Sequence, residues 1–391
     1  MTEAFDAIVV GAGAAGLMCA AVAGARGRRV LLLDHNRQPG AKILISGGGR
    51  CNFTNEHVAP DRFLSDNPRF CVSALRRYTA QDFIALVQKH GIAYHEKTLG
   101  QLFCDGSARQ IVDMLLAECE AAGVVLRLGG AVTDVQRADA FQVTTASGVA
   151  EAPALVLATG GLSIPKLGAT GFAHEAARRF GLPLTPIRPG LVPLAFAGGD
   201  LELMRPLSGV ALPVQASAGR AAFDEAMLFT HRGLSGPAVL QASSYLQPDA
   251  AMTVDMLPGR DAAAVLIEGK RRRPRVEART LLAEMVPQRL AVALAETLPP
   301  VPMAEQPDRG LRSLGAMLNA WRIKPSGTEG YAKAEVTLGG IDTRALSSQT
   351  MQARDVPGLF VIGEAMDVTG WLGGYNFQWA WSSGWCAGQS V

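Results

Sequence analysis

The sequence predicts an α/β protein in which a parallel-sheet domain is assembled from both ends of the chain, with a β domain and a small helical subdomain inserted between them. Three observations predict it. The chain opens on an apolar run, Ile8–Val10, followed by Gly11-Ala-Gly13-Ala-Ala-Gly16 and, after a second apolar run, by Asp34. It closes on a third run, Leu359–Ile362, followed by Gly363-Glu364. From about residue 189 the texture changes to short alternating stretches separated by Pro and Gly.

The opening segment is a dinucleotide signature. Ile8–Val10 reads as a buried parallel strand. Gly11 permits the sharp turn, Gly13 leaves room for a pyrophosphate, and Gly16 lets the following helix lie close to the strand. Ala14 and Ala15 open that helix, whose first N–H groups and partial positive charge face the phosphates. Arg29–Leu33 is the second strand, and Asp34 at its end accepts from ribose hydroxyls and disfavours a 2′-phosphate, which argues against NADP here. Ala7–Ala25 is uncharged and nearly long enough to span a bilayer. Glycines 11, 13, 16 and 24 and the acid downstream make it a Rossmann-type turn and helix instead. Glu3 and Asp6, with no Lys or Arg beside them, do not make a signal peptide.

At 391 residues the chain holds two or three domains. Its 37 Lys and Arg against 35 Asp and Glu give +2, which carries no electrostatic signature of a nucleic-acid partner. Six cysteines without a CxxC pair read as reduced thiols in a cytoplasmic protein. Histidines without HxH or HxxxH spacing predict no metal.

After Asp34 comes a long loop, with Lys42-Ile-Leu-Ile-Ser-Gly47-Gly48-Gly49-Arg50-Cys51-Asn52 at its centre. Three consecutive glycines between two cations suit a flat or anionic ligand lying against backbone. Helices are predicted near 69–78, 81–90 and 108–122, and strands near 124–128, 131–137 and 141–146. Ala154-Leu-Val-Leu-Ala-Thr-Gly160-Gly161 is a buried strand breaking into a glycine pair, a feature of FAD proteins. Gly269-Lys-Arg-Arg-Arg-Pro-Arg275 is a basic run that reads as a solvated helix cap, since no aromatic residues are interleaved. Ser235 in Gly233-Leu-Ser-Gly-Pro237 is not a nucleophile elbow, because proline stands where glycine is required. Near the end, Glu364 is placed to hold ribityl hydroxyls, and a helix beginning near Asn376 presents its N-terminus to the flavin edge that gains charge on reduction. Trp379, Trp381 and Trp385 read as core, and Trp371 as a loop residue beside the flavin.

These pieces together resemble a bacterial flavoprotein family, described as NAD(P)/FAD-dependent oxidoreductases or aminoacetone-oxidase-like FAD-binding enzymes, with bile-acid dehydro-intermediate reductases as relatives. The resemblance covers nearly the whole chain. It is carried by Lys42–Asn52, Gly233–Pro237, Val336-Thr-Leu-Gly-Gly340 and Gly373-Gly-Tyr-Asn-Phe-Gln378. It implies a Rossmann-type FAD domain (1–188 and 341–391) carrying a β-barrel-like domain (189–257, with return strands 322–340) and a helical insert (258–321). It further implies that Gly11, Gly13, Ala14, Ala15, Gly16, Asp34, Lys42, Gly47, Gly48, Gly49, Arg50, Cys51, Asn52, Gly160, Gly363, Glu364 and Asn376 bind FAD, with Val132 as the adenine-side backbone contact. Gln101-Leu-Phe-Cys-Asp105 departs from the family pattern, where Arg and Pro flank the phenylalanine.

The expected activity is two-electron transfer between FAD and a small organic substrate, as amine or aminoketone oxidation or enone-type reduction. No second GxGxxG is present, so reduced flavin turns over with oxygen, an acceptor substrate, or NAD(P)H visiting the same cleft. Trp371, Tyr375 and Thr337 are expected to face substrate, and no catalytic residue is assigned. Cys51 reads as a packed thiol beside the cofactor. The expected partner is a small molecule, with no nucleic acid and no membrane, and the oligomeric state stays open. Two rival readings are a flavin-dependent RNA-modifying protein using the 269–275 run, and a flavin sensor without turnover.

Overall fold

A computed structural model of the chain describes residues 2–391. Two compact units emerge. One runs to Arg188 and resumes at Val336, and the other is Pro189–Glu335. The Val336–Leu338 strand therefore lies with the first unit, whereas the sequence reading carries the inserted part to 340.

The first unit is centred on a five-stranded sheet in the order Leu359–Val361, Ala154–Leu157, Ala7–Val10, Val30–Asp34, Val125–Leu128, with every pair parallel. The inner strands are buried on both faces, which is why they read as unbroken apolar runs. The first helix, Ala14–Ala25, is made of small and apolar residues because it is covered by the last one, Tyr375–Gly388. A Cβ on Gly384 would stand 2.5 Å from the Ala15 carbonyl oxygen, and one on Gly388 would stand 2.8 Å from that of Cys19. Two glycines one turn apart thus let the helix backbones touch and join the head of the chain to its tail. Trp379 and Trp381 are sealed in this core, 1 % and 0 % exposed. Their indole N–H groups donate to the Gly363 and Phe53 carbonyls at 3.1 and 2.8 Å, as buried tryptophans require. The unit also holds a four-stranded sheet (Glu3–Ala4, Gly148–Ala152, Phe141–Thr145, Val132–Arg137), a three-stranded one (Asn52–Asn55, Gln101–Cys104, Tyr94–Glu96) and an antiparallel pair, Phe63–Leu64 with Thr369–Gly370.

The second unit is a seven-stranded antiparallel sheet in the order Trp321–Ile323, Met252–Asp255, Ala211–Ala218, Ala221–Thr230, Gly233–Ser235, Leu194–Ala195, Gly327–Thr328. Its two edge strands are adjacent in sequence, with only residues 324–326 between them, so the edges come within about 14 Å and the sheet curls. Helices Ala262–Arg272 and Asp308–Asn319 cross closely, since a Cβ on Gly315 would meet the Ala263 backbone nitrogen at 2.3 Å. The basic run ends the first of these helices, where cations complement the dipole. Lys270 pairs with Asp308 at 2.7 Å, Arg272 with Glu268 at 2.6 Å, and Arg273 with Glu284.

Among the described residues, no helix is long and apolar enough to cross a membrane, and no group of three His, Cys, Asp or Glu side chains could hold a metal. All six cysteines are free and buried.

Candidate functional site

The glycines of the first turn do different work. Gly11 has φ +111°, and a Cβ there would lie 2.4 Å from the Ala158 carbonyl oxygen. A Cβ on Gly16 would lie 1.8 Å from the Gly11 carbonyl oxygen. These two are glycine because the strand, the turn and the helix crowd together. A Cβ on Gly13 would meet nothing within 4 Å, so this position is bare where a phosphate would approach. Asp34, with 12 % of its side chain exposed, accepts from the Ala12 N–H at 2.7 Å and the Asn36 N–H at 2.8 Å. Two N–H donors hold the carboxylate, and its oxygens keep further lone pairs for ribose hydroxyls.

The triple-glycine segment is tighter than the loop expected from sequence. Gly40, left-handed at φ +70°, starts a short helix Ala41–Ile45 anchored by Ile43, which is 1 % exposed. A tight turn Ser46–Gly49 follows, with Gly47, Gly48 and Gly49 all left-handed. Gly47 is wedged, its Cβ position 2.8 Å from the Phe103 ring, but Cβ atoms on Gly48 and Gly49 would meet nothing. Arg50 is exposed beside them. Cys51 is fully buried, and burial pushes its thiol up to about 12, so it stays protonated at neutral pH and is no nucleophile. With its amide oriented to satisfy both ends, Asn52 donates to the Thr54 and Leu102 carbonyls and accepts from the Gly374 N–H at 3.3 Å. That contact ties the glycine turn to the start of the last helix.

Four distant segments meet at Glu364. Lys42 Nζ lies 2.6 Å from Glu364 Oε2 and 2.6 Å from Ser163 Oγ. The Ser163 hydroxyl donates to Glu364 Oε1 at 2.9 Å, and the Thr337 N–H donates to the same oxygen at 2.8 Å. Burial opposes ionisation of Glu364, yet the Lys42 charge and these hydrogen bonds outweigh it and hold the carboxyl below the ordinary carboxylate range. Gly161 is jammed against this cluster, its Cβ position 2.3 Å from Thr337 Oγ1, whereas Gly160 (φ +72°) faces open space. Gly363 closes the circle, because a Cβ there would touch Ala15 Cβ at 3.0 Å. The Gly11 turn, the Gly160 turn and the Gly363 turn are therefore neighbours. Ser163 carries no motif, so sequence reasoning missed it. Only the folded position of Lys42 reveals it.

Around the last turn, Asn376 does not reach outward. Its Oδ1 accepts from the Gly370 N–H at 2.8 Å, and its Nδ2 donates to the Gly370 and Trp371 carbonyls at 2.9 and 3.2 Å. Tyr375 and Thr337, expected to face substrate, are covered at 5 % and 1 % exposure. Tyr375 packs its ring against Phe63 and Trp371. Thr337 Oγ1 accepts from the Leu162 and Ser163 N–H groups at 2.8 and 3.2 Å. Trp371 is half-buried with the Arg62 guanidinium 4.2 Å from its ring centroid. Val132 opens a strand of the four-stranded sheet opposite Thr145, two residues after Gly130, whose N–H donates to the Asp34 carbonyl at 3.3 Å.

Bare backbone at Gly13, Gly48, Gly49 and Gly160, rather than side chains filling the same places, fits a long anionic cofactor with flat rings. The match with known proteins agrees. A protein of Escherichia coli (strain K12) named ribosomal RNA dihydrouridine synthase is 53 % identical over 100 % of this chain and 98 % of its own length. Its namesake in Haemophilus influenzae (strain ATCC 51907 / DSM 11121 / KW20 / Rd) is 44 % identical over 100 % and 99 %. A 3-dehydro-bile acid delta(4,6)-reductase of Clostridium scindens (strain ATCC 35704 / DSM 5676 / VPI 13733 / 19) is 27 % identical over 98 % of each chain. Among solved structures, an open-conformation flavocytochrome c3 fumarate reductase shares the fold, with TM-score 0.50 and 18 % identity over 99 % of this chain and 78 % of that one.

The expectation of a flavin-dependent enzyme with a Rossmann-type domain is borne out. The expectation of a small organic substrate and no nucleic-acid partner is corrected, because two full-length relatives carry the name of an enzyme acting on ribosomal RNA. The physical reason is that a whole-chain charge of +2 does not measure a local RNA contact. The bile-acid enzyme, to which the sequence resemblance pointed, is the more distant of these relatives. Residues 5–390 match the HI0933-like protein Rossmann domain, and the chain belongs to that family.

Proposed function

We propose that this chain is an FAD-dependent enzyme that reduces a uridine of ribosomal RNA to dihydrouridine, using NAD(P)H as electron donor. The observation that carries the reading is end-to-end identity of 53 % with a relative of that name, joined to a site with the bare backbone a dinucleotide needs. Saturating the uracil C5=C6 bond adds one hydride and one proton. A bound flavin supplies the hydride.

The protein's own part is binding and electrostatics. The Gly11–Gly16 turn and Asp34 hold the adenosine and pyrophosphate side. Lys42, Gly47 to Asn52, Gly160, Gly363 and Glu364 line the remainder. The helix Tyr375–Gly388 favours negative charge at its N-terminal end, by roughly 0.3–1 kcal/mol at an exposed site and more where water is excluded. Its polar residues are consumed internally, so the stabilisation comes from backbone. An rRNA substrate also places the enzyme in the cytoplasm.

The test is direct. Purified flavin-loaded protein is incubated with NADPH and rRNA from cells lacking the gene, and nucleosides are analysed by mass spectrometry. Uridine gaining two hydrogens at one position is expected. Unmodified rRNA, with bound flavin that is reduced by NADPH and reoxidised only by small molecules, refutes the reading.

A further inference from the structure

A base inside RNA reaches a reactive centre only after leaving its stack, and an extruded base is held by aromatic rings or arginine planes. Resting on the function proposed above, we propose that Arg62 and Trp371 form the stacking platform that receives the extruded uracil, with Arg62 also meeting the RNA backbone.

Three observations carry this. First, the pair is built by backbone. The Trp371 N–H donates to the Arg62 carbonyl at 3.0 Å, and the next residues continue the ladder with Gly370 opposite Phe63 and Thr369 opposite Leu64. The guanidinium then lies 4.2 Å from the indole centroid in a cation–π contact, and bases stack on aromatic rings and arginine side chains of this kind. Second, the platform is braced from beneath. Tyr375 meets the Trp371 ring edge-on at 6.4 Å and Phe63 at 6.1 Å, while the Asn376 amide clamps both ends of the turn. Third, the guanidinium is open to solvent above a tryptophan that is half-buried. Arg62 is 39 % exposed, and its ion pair to the 79 % exposed Asp61 spans 3.8 Å, so little electrostatic energy holds the guanidinium away from a phosphate. The Trp371 turn leads directly into Gly374, which Asn52 joins to the triple-glycine segment. The platform therefore adjoins the backbone assigned to the flavin.

The experiment measures binding of flavin-loaded protein to a short single-stranded RNA containing one uridine, and to the same RNA abasic at that position, over a range of salt. Wild type is expected to prefer the uridine RNA. Trp371→Ala should lose roughly five- to hundredfold in affinity for it and bind both RNAs alike, and Trp371→Phe should keep the preference. Arg62→Gln should weaken both RNAs and lower the salt slope by about one. Retained flavin absorbance shows that a variant is folded, and the exposed Arg62 carries the test should Trp371→Ala not fold. If wild type binds and reduces RNA while Trp371→Ala or Arg62→Gln behaves as wild type, the platform is overturned and the function stands. If wild type neither binds nor reduces RNA, the function falls and the platform with it.

Discussion

Replacing Gly13 with valine separates cofactor binding from folding. Gly13 caps the first helix at φ −85°, ψ −169°, an extended conformation that a β-branched residue adopts readily, and its added Cβ would meet nothing within 4 Å. The cofactor-free protein should therefore fold normally. It should even gain slightly, by about 0.4–1 kcal/mol, from a less flexible unfolded chain. The bound state is different, because the methyl groups occupy the bare surface that a pyrophosphate must touch. Two charge-assisted hydrogen bonds at about 1.5–3 kcal/mol each, with about 0.3–1 kcal/mol from the helix terminus, amount to roughly 3–7 kcal/mol. That is a loss of about 10²- to 10⁵-fold in affinity. Gly16→Ala is the contrast, because its Cβ would stand 1.8 Å from the Gly11 carbonyl oxygen and the fold itself must move. Visible absorbance and FAD titration read binding, and thermal melting of the cofactor-free proteins reads folding. Gly13→Val protein retaining one flavin per chain, or melting as low as Gly16→Ala, would refute the placement.

Other consequences are equally open to measurement. Glu364→Gln leaves Lys42 with Ser163 as its remaining polar partner in the cluster, and should cost toward the lower end of the ~3–5 kcal/mol seen when a buried pair is broken from one side, since Lys42 is 33 % exposed. The Glu364 carboxyl is held below its ordinary 4.5, so its stabilisation is complete above that pH and is lost as pH falls through the lower folded value. Acid melts should be shallower below pH 4.5 in the glutamine variant, and parallel curves would contradict the pairing. Burial lowers His174 below its ordinary 6.5 against the opposing hydrogen bond to the Ala365 carbonyl. Stability should decline as pH drops below 6.5, and His174→Gln should remove that part of the slope. Gly384→Ala should destabilise by about 1–3 kcal/mol through forced separation of the first and last helices, and a melting temperature equal to wild type would show that the contact is soft.

What the sequence made legible was whatever repeats locally. Parallel strands buried on both faces announce themselves as apolar runs, and every strand of the central sheet lies within a residue or two of its expected place. The glycines of the first turn were readable because crowding and phosphate access both exclude side chains, although only coordinates divide them into Gly11 and Gly16 for packing and Gly13 for room. Residues defined by long-range meetings were not readable. Lys42 and Glu364 are 322 positions apart, and Ser163 between them looks like any loop serine. Thr337 and Tyr375, expected to face substrate, are covered, since nearness in sequence to a glycine turn does not say which side of it a side chain takes. The segment at Ala41–Ile45 reads as loop because five residues are too few for helical periodicity to register.

The misjudged partner has a different origin. A net charge near zero argues against nucleic acid, yet the electrostatic part of RNA affinity scales with the number of phosphates neutralised at the contact, not with the sum over the chain. A few arginines suffice, and acids more than a Debye length away cancel them in the total without weakening them at the contact. The basic run misleads in the opposite direction, since Lys270, Arg272 and Arg273 each have an acid at hand. Cation count in a short window therefore ranks this run above Arg62. Geometry reverses the order, because the Arg62 guanidinium lies 4.2 Å from the Trp371 ring centroid and its acidic neighbour, 3.8 Å away, is solvated. For the base-modifying flavoenzyme proposed above, the informative signal is a guanidinium against an aromatic ring beside the backbone assigned to the cofactor, and that signal exists only after folding.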